Sequence, residues 1–148
     1  MEYKILEAAE IPLMEKLMTD NPEGIEGFRQ FSYEYLKKFI DSPSAFGFIA
    51  KENNSIIGLC YGDTLQRPDK ALSIFYIHSL GILENYRNKG IGSKLFEFVK
   101  NYAFEKLNCY ECLLITEKDN RPAHKVYEKS DGKIYEDQIV YEIKKERV

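Results

Sequence analysis

The chain has 148 residues, of which 44% are hydrophobic and 30% are charged, a balance typical of one water-soluble globular domain. A net charge of −3 argues against nucleic-acid binding, which usually requires a basic surface. No apolar run approaches the roughly 20 residues of a membrane span. The first residues lack the charged-then-apolar order of an export signal. We therefore expect a single cytoplasmic domain over residues 1–148.

Hydrophobic periodicity divides the chain into strands and helices. Strands are predicted at residues 3–7, 45–50, 56–61, 71–82, 111–116, 133–135 and 139–143, with a hairpin turn at 53–55. Helices are predicted at residues 11–18 and 28–40, from Ile91 onward, and as a short helix capped by Asn120. This order predicts an α+β fold, in which a mixed sheet carries helices on both faces.

Three cysteines, Cys60, Cys109 and Cys112, are distributed over the predicted strands. An odd number of cysteines without an export signal favours reduced thiols. Residues three apart on a strand point to opposite faces, so we expect Cys109 and Cys112 to be separated by the sheet. A metal or redox role is the alternative, but no second pair lies at zinc-binding spacing, so core packing is favoured and no metal is expected.

The segment 80–92 predicts an anion site, because a strand enters a turn with two glycines and a helix begins at once. Glycines let the backbone approach an anion, and the first N–H groups of a helix are unpaired donors. Arg87 and Lys89 add positive charge. The alternative is a strand–turn–helix unit whose glycines only serve packing. The spacing fits neither G-x-x-x-x-G-K-[ST] nor G-x-G-x-x-G, which leaves a nucleotide-binding module weakly supported.

A second motif lies downstream, and together the two resemble a known family. Residues 87–92, Arg-Asn-Lys-Gly-Ile-Gly, resemble the R/Q-x-x-G-x-G/A loop of the GNAT N-acetyltransferases. Residues 120–129 resemble the N-x-x-A-x-x-x-Y-x-K helix of the same family. The resemblance extends over the whole chain and implies a three-layer fold, with a mostly antiparallel twisted sheet that is splayed at the cofactor site.

The resemblance implies that acetyl-CoA is the co-substrate and names the residues that would hold it. The pantetheine arm would pair with the backbone of residues 80–82, and the pyrophosphate would lie over the glycine loop. The implied set is Leu80, Gly81, Ile82, Arg87, Asn88, Lys89, Gly90, Ile91, Gly92, Ser93, Asn120 and Tyr127. Tyr127 would also protonate the leaving thiolate, although an aromatic side chain at this position could equally serve the core.

The general base is not evident in the sequence. Residues 76–82 read Y-I-H-S-L-G-I and resemble Y-I-Y-D-L-A-V of the type I aminoglycoside 3-N-acetyltransferases, so Ser79 stands where that subfamily has an acid. His78 is the only nearby histidine, and imidazole exchanges protons near neutral pH. The alternatives are a histidine satisfied by its neighbours, or deprotonation through water. Aminoglycosides are therefore expected to be poor acceptors, because their cationic amines would lack this partner.

The leading interpretation is an enzyme that transfers acetyl from acetyl-CoA to a primary amine of a small molecule or peptide by direct attack. Residues 19–30 and 65–71 are expected to line the acceptor side, where Asp20, Glu23 and Glu26 would favour a cationic acceptor. A non-catalytic acyl-CoA-binding regulatory domain is the alternative. His124 is expected in solvent, and the family also allows a homodimer.

Overall fold

A mixed five-strand sheet forms the centre of the part of the chain that the structure describes. The computed structural model describes residues 1–22 and 30–146, and its strands are β1 (Glu2–Ile5), β2 (Ala45–Glu52), β3 (Ser55–Leu65), β4 (Ser73–Ile82) and β5 (Cys109–Leu114). They lie in the order β1-β2-β3-β4-β5. Neighbours pair antiparallel from β1 to β4, whereas β5 runs parallel to β4. The predicted mostly antiparallel sheet is confirmed.

Helices cover both faces of this sheet, as predicted. They are α1 (Ile11–Asp20), α2 (Tyr33–Asp41), α3 (Ile91–Glu105) and α4 (Arg121–Lys129). The buried side chains of α1 and α2 form one cluster with Leu59 and its neighbours, whereas those of α3 form a second cluster around Phe48 and Phe75. None of the helices in the described ranges has the length and apolar character of a membrane span.

The predicted start of the second helix was too early. Residues 28 and 29 lie outside the described residues, and residues 30–32 are not helical. Helix α2 begins at Tyr33 because Ser32 caps it: the Ser32 Oγ accepts a hydrogen bond from the Tyr35 N–H at 3.0 Å. A capping side chain supplies a partner for one of the unpaired N–H groups of the first turn.

The three cysteines are free thiols that pack in the core, which confirms that role. The expectation that Cys109 and Cys112 face opposite sides was wrong, since both pack against the α3 cluster. The register between β4 and β5 shifts after Cys109, so that Tyr110 has no direct partner on β4. One extra residue reverses the alternation of side chains beyond it. Burial raises the pKa of the Cys112 thiol to about 12.

The two predicted C-terminal strands, 133–135 and 139–143, are not formed in the structure. Residues 133–145 have no regular secondary structure. An alternating pattern specifies which side chains share a face, but a strand also needs a neighbouring edge for its backbone hydrogen bonds. No other described segment pairs with these residues. The prediction of these two strands was therefore wrong.

Candidate active site at the splayed strands

Strands β4 and β5 separate part-way along the sheet. Their pairing ends at Ile77 opposite Leu114, whereas β4 continues to Ile82 and remains paired with β3 on its other side. The end of β4, which includes Leu80, Gly81 and Ile82, therefore has one edge without a strand neighbour among the described residues. An extended ligand can add to such an edge through backbone hydrogen bonds.

The glycine loop lies between this edge and α3. Gly90 is the N-cap of α3 and has a left-handed backbone with φ of 78°, a conformation that glycine adopts without strain. A Cβ placed on Gly90 would meet no atom within 4 Å. The Lys94 N–H bonds to the Gly90 carbonyl at 3.1 Å, so the N–H groups of Ile91, Gly92 and Ser93 precede the first hydrogen bond of the helix. The loop offers open space beside unpaired donors, which suits a phosphate group.

Side chains of the loop support its shape and its positive charge. Arg87 donates from Nε to the Ile82 carbonyl at 3.0 Å, which ties the loop to the end of β4. Asn88 has a φ of 60°, a conformation that asparagine tolerates better than most residues. The Lys89 ammonium lies 5.5 Å from the centre of the Tyr86 ring. Two cations therefore accompany the helix terminus.

Helix α4 approaches the same place. A Cβ on Gly92 would contact Leu80, Ile82 and Val126 at 3.5–3.9 Å, so α4 lies beside the free edge of β4. Asn120 caps α4, since its Oδ1 accepts a hydrogen bond from the Ala123 N–H at 3.3 Å. The predicted cap is confirmed.

The segment before α4 is held by His124. Its Nε2 lies 3.0 Å from the carbonyl oxygens of Glu117 and Lys118, and the residue is only partly exposed. The expectation that His124 lies in solvent was therefore incomplete, because its ring also contacts the two backbone carbonyls that precede α4. His124 supports the loop that carries Asn120.

Tyr127 lies on the α3 side of the sheet, next to the gap. Its ring meets the Phe96 ring edge-on at 5.0 Å between centroids. Burial raises the pKa of the Tyr127 hydroxyl to about 12, and the neighbouring Cys60 thiol adds to this shift. Cys60 is opposite Leu80 in the β3–β4 register. The Tyr127 hydroxyl is therefore a neutral hydrogen-bond donor close to the free edge of β4.

His78 and Asp63 form a pair on the opposite face. His78 Nε2 lies 2.8 Å from Asp63 Oδ2, and the His78 side chain is 44% exposed. His78 forms a β-bulge in β4, because Tyr61 pairs with Ser79 and the next residue of β3, Gly62, pairs with Ile77. A β-bulge changes the direction in which its side chain points. The His78 ring stacks on Tyr61 at 5.9 Å, so it is oriented on two sides and remains accessible.

Asp63 was missed in the sequence. The resemblance puts the subfamily's acid on β4 at the position of Ser79, which lies opposite Tyr61, and the sequence has no carboxylate there. Asp63 comes instead from β3, fifteen residues earlier than His78. In the sequence, the spacing of two between Tyr61 and Asp63 indicates only that both side chains lie on one face of β3. That Asp63 meets His78 follows only when the β3–β4 register and the bulge are known. The structure thus places a carboxylate beside His78.

An apolar cavity of about 180 Å³ lies between α1, α2 and β3, and Tyr61 connects it to the His78 ring. Its lining includes Met14, Phe31, Tyr35, Phe39, Leu59 and Tyr61. The Phe31 and Phe39 rings both meet the Tyr61 ring edge-on, with centroids 6.3 and 5.9 Å apart. Tyr61 therefore forms a wall of the cavity and also the support of His78.

The carboxylates expected to attract an acceptor contribute little in the described part of the chain. Asp20 forms an ion pair with Lys16 in the preceding turn of α1, and Glu23 and Glu26 lie outside the described residues. Within 65–71, Asp69 is paired with Arg67 at 2.7 Å. An ion pair of this kind is already neutralised and attracts a second cation only weakly.

The match to known families agrees with this geometry. The model of the Acetyltransferase (GNAT) family matches residues 11–132, which is most of the chain. The chain belongs to the GNAT acetyltransferase family. GNAT enzymes use acetyl-CoA as co-substrate, and the loop and free edge described above fit the phosphates and the extended arm of that molecule. Among curated proteins, no match to this GNAT chain was found.

Solved structures share the fold of this GNAT chain at low sequence identity. An aminoglycoside acetyltransferase from an uncultured soil metagenomic sample superposes with a TM-score of 0.79 at 21% identity, covering 97% of each chain. A ribosomal-protein-alanine N-acetyltransferase from Brucella melitensis biovar Abortus 2308 gives 0.75 at 17% identity, over 97% of this chain and 99% of that one. An aminoglycoside N-acetyltransferase in complex with CoA, AAC(6')-Iy, gives 0.72 at 14%, over 96% and 93%. These identities establish the fold alone.

Proposed function

We propose that this GNAT protein transfers the acetyl group of acetyl-CoA to a primary amine that carries an apolar or aromatic group. The observation that supports it most is the arrangement around the gap between β4 and β5. Tyr127 lies on one face of the sheet beside Cys60, whose register partner is Leu80. The Asp63–His78 pair lies on the other face, two residues earlier on β4. An acid and a base thus flank the point at which a thioester and an amine would meet.

Residues of the loop would hold the co-substrate. Its phosphates would lie over residues 87–93, where Gly90 leaves open space and the α3 N–H groups are unpaired. The arm would pair with the backbone of residues 80–82, and Asn120 would donate to it from its side-chain amide. Acetyl-CoA supplies an activated acyl group whose carbonyl carbon the amine attacks directly. A backbone N–H at the free edge of β4 would stabilise the resulting oxyanion.

The Asp63–His78 pair would accept the proton of the amine. A carboxylate oxygen only accepts hydrogen bonds, so His78 donates from Nε2 and leaves Nδ1 with a free lone pair. The carboxylate orients the ring and stabilises the positive charge that His78 gains on protonation. Such positioned proton transfer contributes about 10²–10⁴-fold to a rate. Ser79, adjacent on β4, would line the acceptor path.

Tyr127 would give a proton to the departing thiolate. Because burial raises its pKa to about 12, the hydroxyl stays protonated around neutral pH. It can then donate a hydrogen bond that strengthens as negative charge develops on sulfur. The ring contact with Phe96 holds the hydroxyl in place.

The acceptor class is inferred from the cavity whose wall includes Tyr61, the ring on which His78 stacks. A volume of about 180 Å³ with aromatic walls suits the apolar part of a small amine, with Tyr61 placing that part beside the base. Aminoglycosides are polyhydroxylated, and such a cavity offers few partners for hydroxyl groups. Asp63 does supply a carboxylate for a cationic amine, so the case against aminoglycosides now depends on this lining and not on Ser79.

The test is release of free thiol from acetyl-CoA in the presence of a panel of amines. We expect phenethylamine and related arylalkylamines to be acetylated at least tenfold faster, in kcat/KM, than kanamycin or gentamicin. Asp63→Asn should lower kcat by about 10²-fold, within the range of acid–base catalysis. Asp69→Asn removes a carboxylate from an exposed turn and is the matched control, with an unchanged rate.

Two outcomes would overturn the proposal. Tight acetyl-CoA binding without thiol release for any amine would make the protein a non-catalytic acyl-CoA-binding domain. Equal turnover of kanamycin and phenethylamine would remove the apolar acceptor while leaving the acetyltransferase reaction intact.

A further inference from the structure

The Asp63–His78 pair gives more help with proton removal than an amine acceptor requires. Asp63 Oδ2 and His78 Nε2 lie 2.8 Å apart, the arrangement in which a carboxylate orients an imidazole for acyl transfer. A neutral amine attacks with its own lone pair, and its proton becomes acidic only as the new bond forms, so water can also take it. A hydroxyl group is a poor nucleophile unless a positioned base removes its proton during the attack. The pair therefore fits a hydroxyl group at least as well as an amine.

Contacts on three sides hold the His78 ring in one orientation. Asp63 lies beside Nε2, the Tyr61 ring stacks on the imidazole at 5.9 Å, and the Tyr76 ring meets it edge-on at 5.0 Å. Nδ1 is the other ring nitrogen, and 44% of the His78 side chain is exposed. A base that is both held in place and accessible needs little rearrangement before it accepts a proton.

The apolar cavity favours an acceptor that carries no charge. None of the described residues that line it has a charged side chain. An alkylamine is mostly protonated at neutral pH, as is a lysine side chain with its pKa of about 10.4, so it must lose a proton and its hydration before it enters. An alcohol enters as a neutral molecule. Because Tyr61 is both a wall of the cavity and the ring on which His78 stacks, an aryl group in the cavity would carry its hydroxyl group toward His78.

We propose that this site also transfers the acetyl group to the hydroxyl group of a small aryl-substituted alcohol, with Asp63 and His78 as the base. The inference rests on the proposed function, because it uses the same co-substrate and the same pair. A C–O bond forms between the hydroxyl oxygen and the acetyl carbon, and the C–S bond of the thioester breaks. The hydroxyl proton goes to His78 Nδ1, and Tyr127 gives its proton to the thiolate. Solvent then returns the proton of His78 to Tyr127, so one ester and one free thiol result.

The test compares 2-phenylethanol with phenethylamine, which differ only in the attacking group. Each is incubated with acetyl-CoA and the full-length protein, and the ester and the amide are quantified by liquid chromatography and mass spectrometry. We expect the ester to form at least tenfold faster than in the mixture without protein. Amide formation without this gain in ester overturns the inference and leaves the proposed function intact. Ester without amide supports the inference and removes the amine acceptor. Absence of both products overturns both proposals.

Variants test whether the pair is the base for the hydroxyl group. Asp63→Asn lets the imidazole adopt the tautomer that has no lone pair on Nδ1, so ester formation should fall at least tenfold more than amide formation. Asp63→Glu keeps a carboxylate and should form the ester faster than Asp63→Asn does. Asp69→Asn, in an exposed turn, is the matched control and should change neither rate. Equal losses of ester and amide in Asp63→Asn would refute the assignment of this pair to the hydroxyl acceptor.

Discussion

Replacing Tyr127 with phenylalanine separates a catalytic hydroxyl from an aromatic side chain that only fills the core. The change removes one oxygen atom and keeps the ring, so the edge-on contact with Phe96 at 5.0 Å survives. The hydroxyl is buried enough to raise its pKa to about 12, and no hydrogen bond from it to another described residue is formed. Its loss therefore takes away little that stabilises the fold.

The two roles predict effects of different size. A typical buried hydrogen-bonding group contributes about 0.5–1.5 kcal/mol to stability, so we expect the free energy of unfolding to change by less than about 1 kcal/mol. Loss of a proton donor should lower kcat by about 10²–10⁴-fold, which corresponds to about 2.7–5.5 kcal/mol of barrier. Acetyl-CoA affinity should stay within about threefold, since the hydroxyl acts mainly as negative charge develops on sulfur.

The assay is single-turnover acetyl transfer at saturating acetyl-CoA, with a thermal melt and a calorimetric titration of each protein. Tyr102→Phe is the matched control: this tyrosine also lies in an aromatic contact, 5.3 Å from Phe48, and is partly buried against the same core cluster. It should keep the wild-type rate. A Tyr127→Phe protein that melts normally and retains more than about a third of the rate, far short of the expected loss, would remove Tyr127 from the mechanism.

The pH dependence supplies a second check on Tyr127. A hydroxyl whose pKa is raised to about 12 stays protonated as pH rises from 6 to 10, so it keeps its ability to donate throughout that window. We expect no alkaline decline in kcat from this group below pH 10. A decline near pH 10 that disappears in Tyr127→Phe would show that the hydroxyl is not shielded as the structure indicates.

Three further changes test other parts of the molecule. Gly90→Val should lower acetyl-CoA affinity at least tenfold and cost about 1–2 kcal/mol of stability, because φ is 78° there and a side chain is strained in that region. Gly92→Ala is the control, since a Cβ has room there, and it should bind acetyl-CoA normally. Equal acetyl-CoA affinities of the two variants by calorimetry would refute the loop assignment. Tyr61→Ala should raise KM for phenethylamine at least tenfold without changing acetyl-CoA affinity, and an unchanged KM would exclude the cavity as the acceptor site. Burial tends to raise the pKa of Glu10, but the hydrogen bond from Lys4 at 2.6 Å and further favourable contacts outweigh it, so the net pKa is lowered. The ionised Glu10 side chain therefore stabilises the folded protein above the pKa of an unfolded glutamate, about 4.3, and this stabilisation is lost as the pH falls below that value. The melting temperature of the wild type should drop more between pH 5 and 3 than that of Glu10→Gln. Parallel plots of melting temperature against pH for the two proteins would contradict this.

Features that depend on neighbouring residues were predictable from the sequence. The glycine loop at residues 87–92 and the cap at Asn120 are local, because backbone conformation and the N–H groups of one helical turn decide them. The alternation of strands and helices also followed from periodicity, including the helices on both faces of the sheet. These elements were sufficient to identify the resemblance to the GNAT family and the segment that would hold acetyl-CoA.

Features that depend on register were decided only by the tertiary structure. Asp63 meets His78 because a bulge adds one residue to β4 opposite β3, and no spacing in the sequence reveals which residue is extra. Cys109 and Cys112 share a face for the same reason. The strands predicted at residues 133–135 and 139–143 do not form, because an alternating pattern does not reveal whether a neighbouring edge is available for pairing. A strand forms only where a neighbouring strand accepts its backbone hydrogen bonds, and only the tertiary structure shows which edges of the sheet are paired.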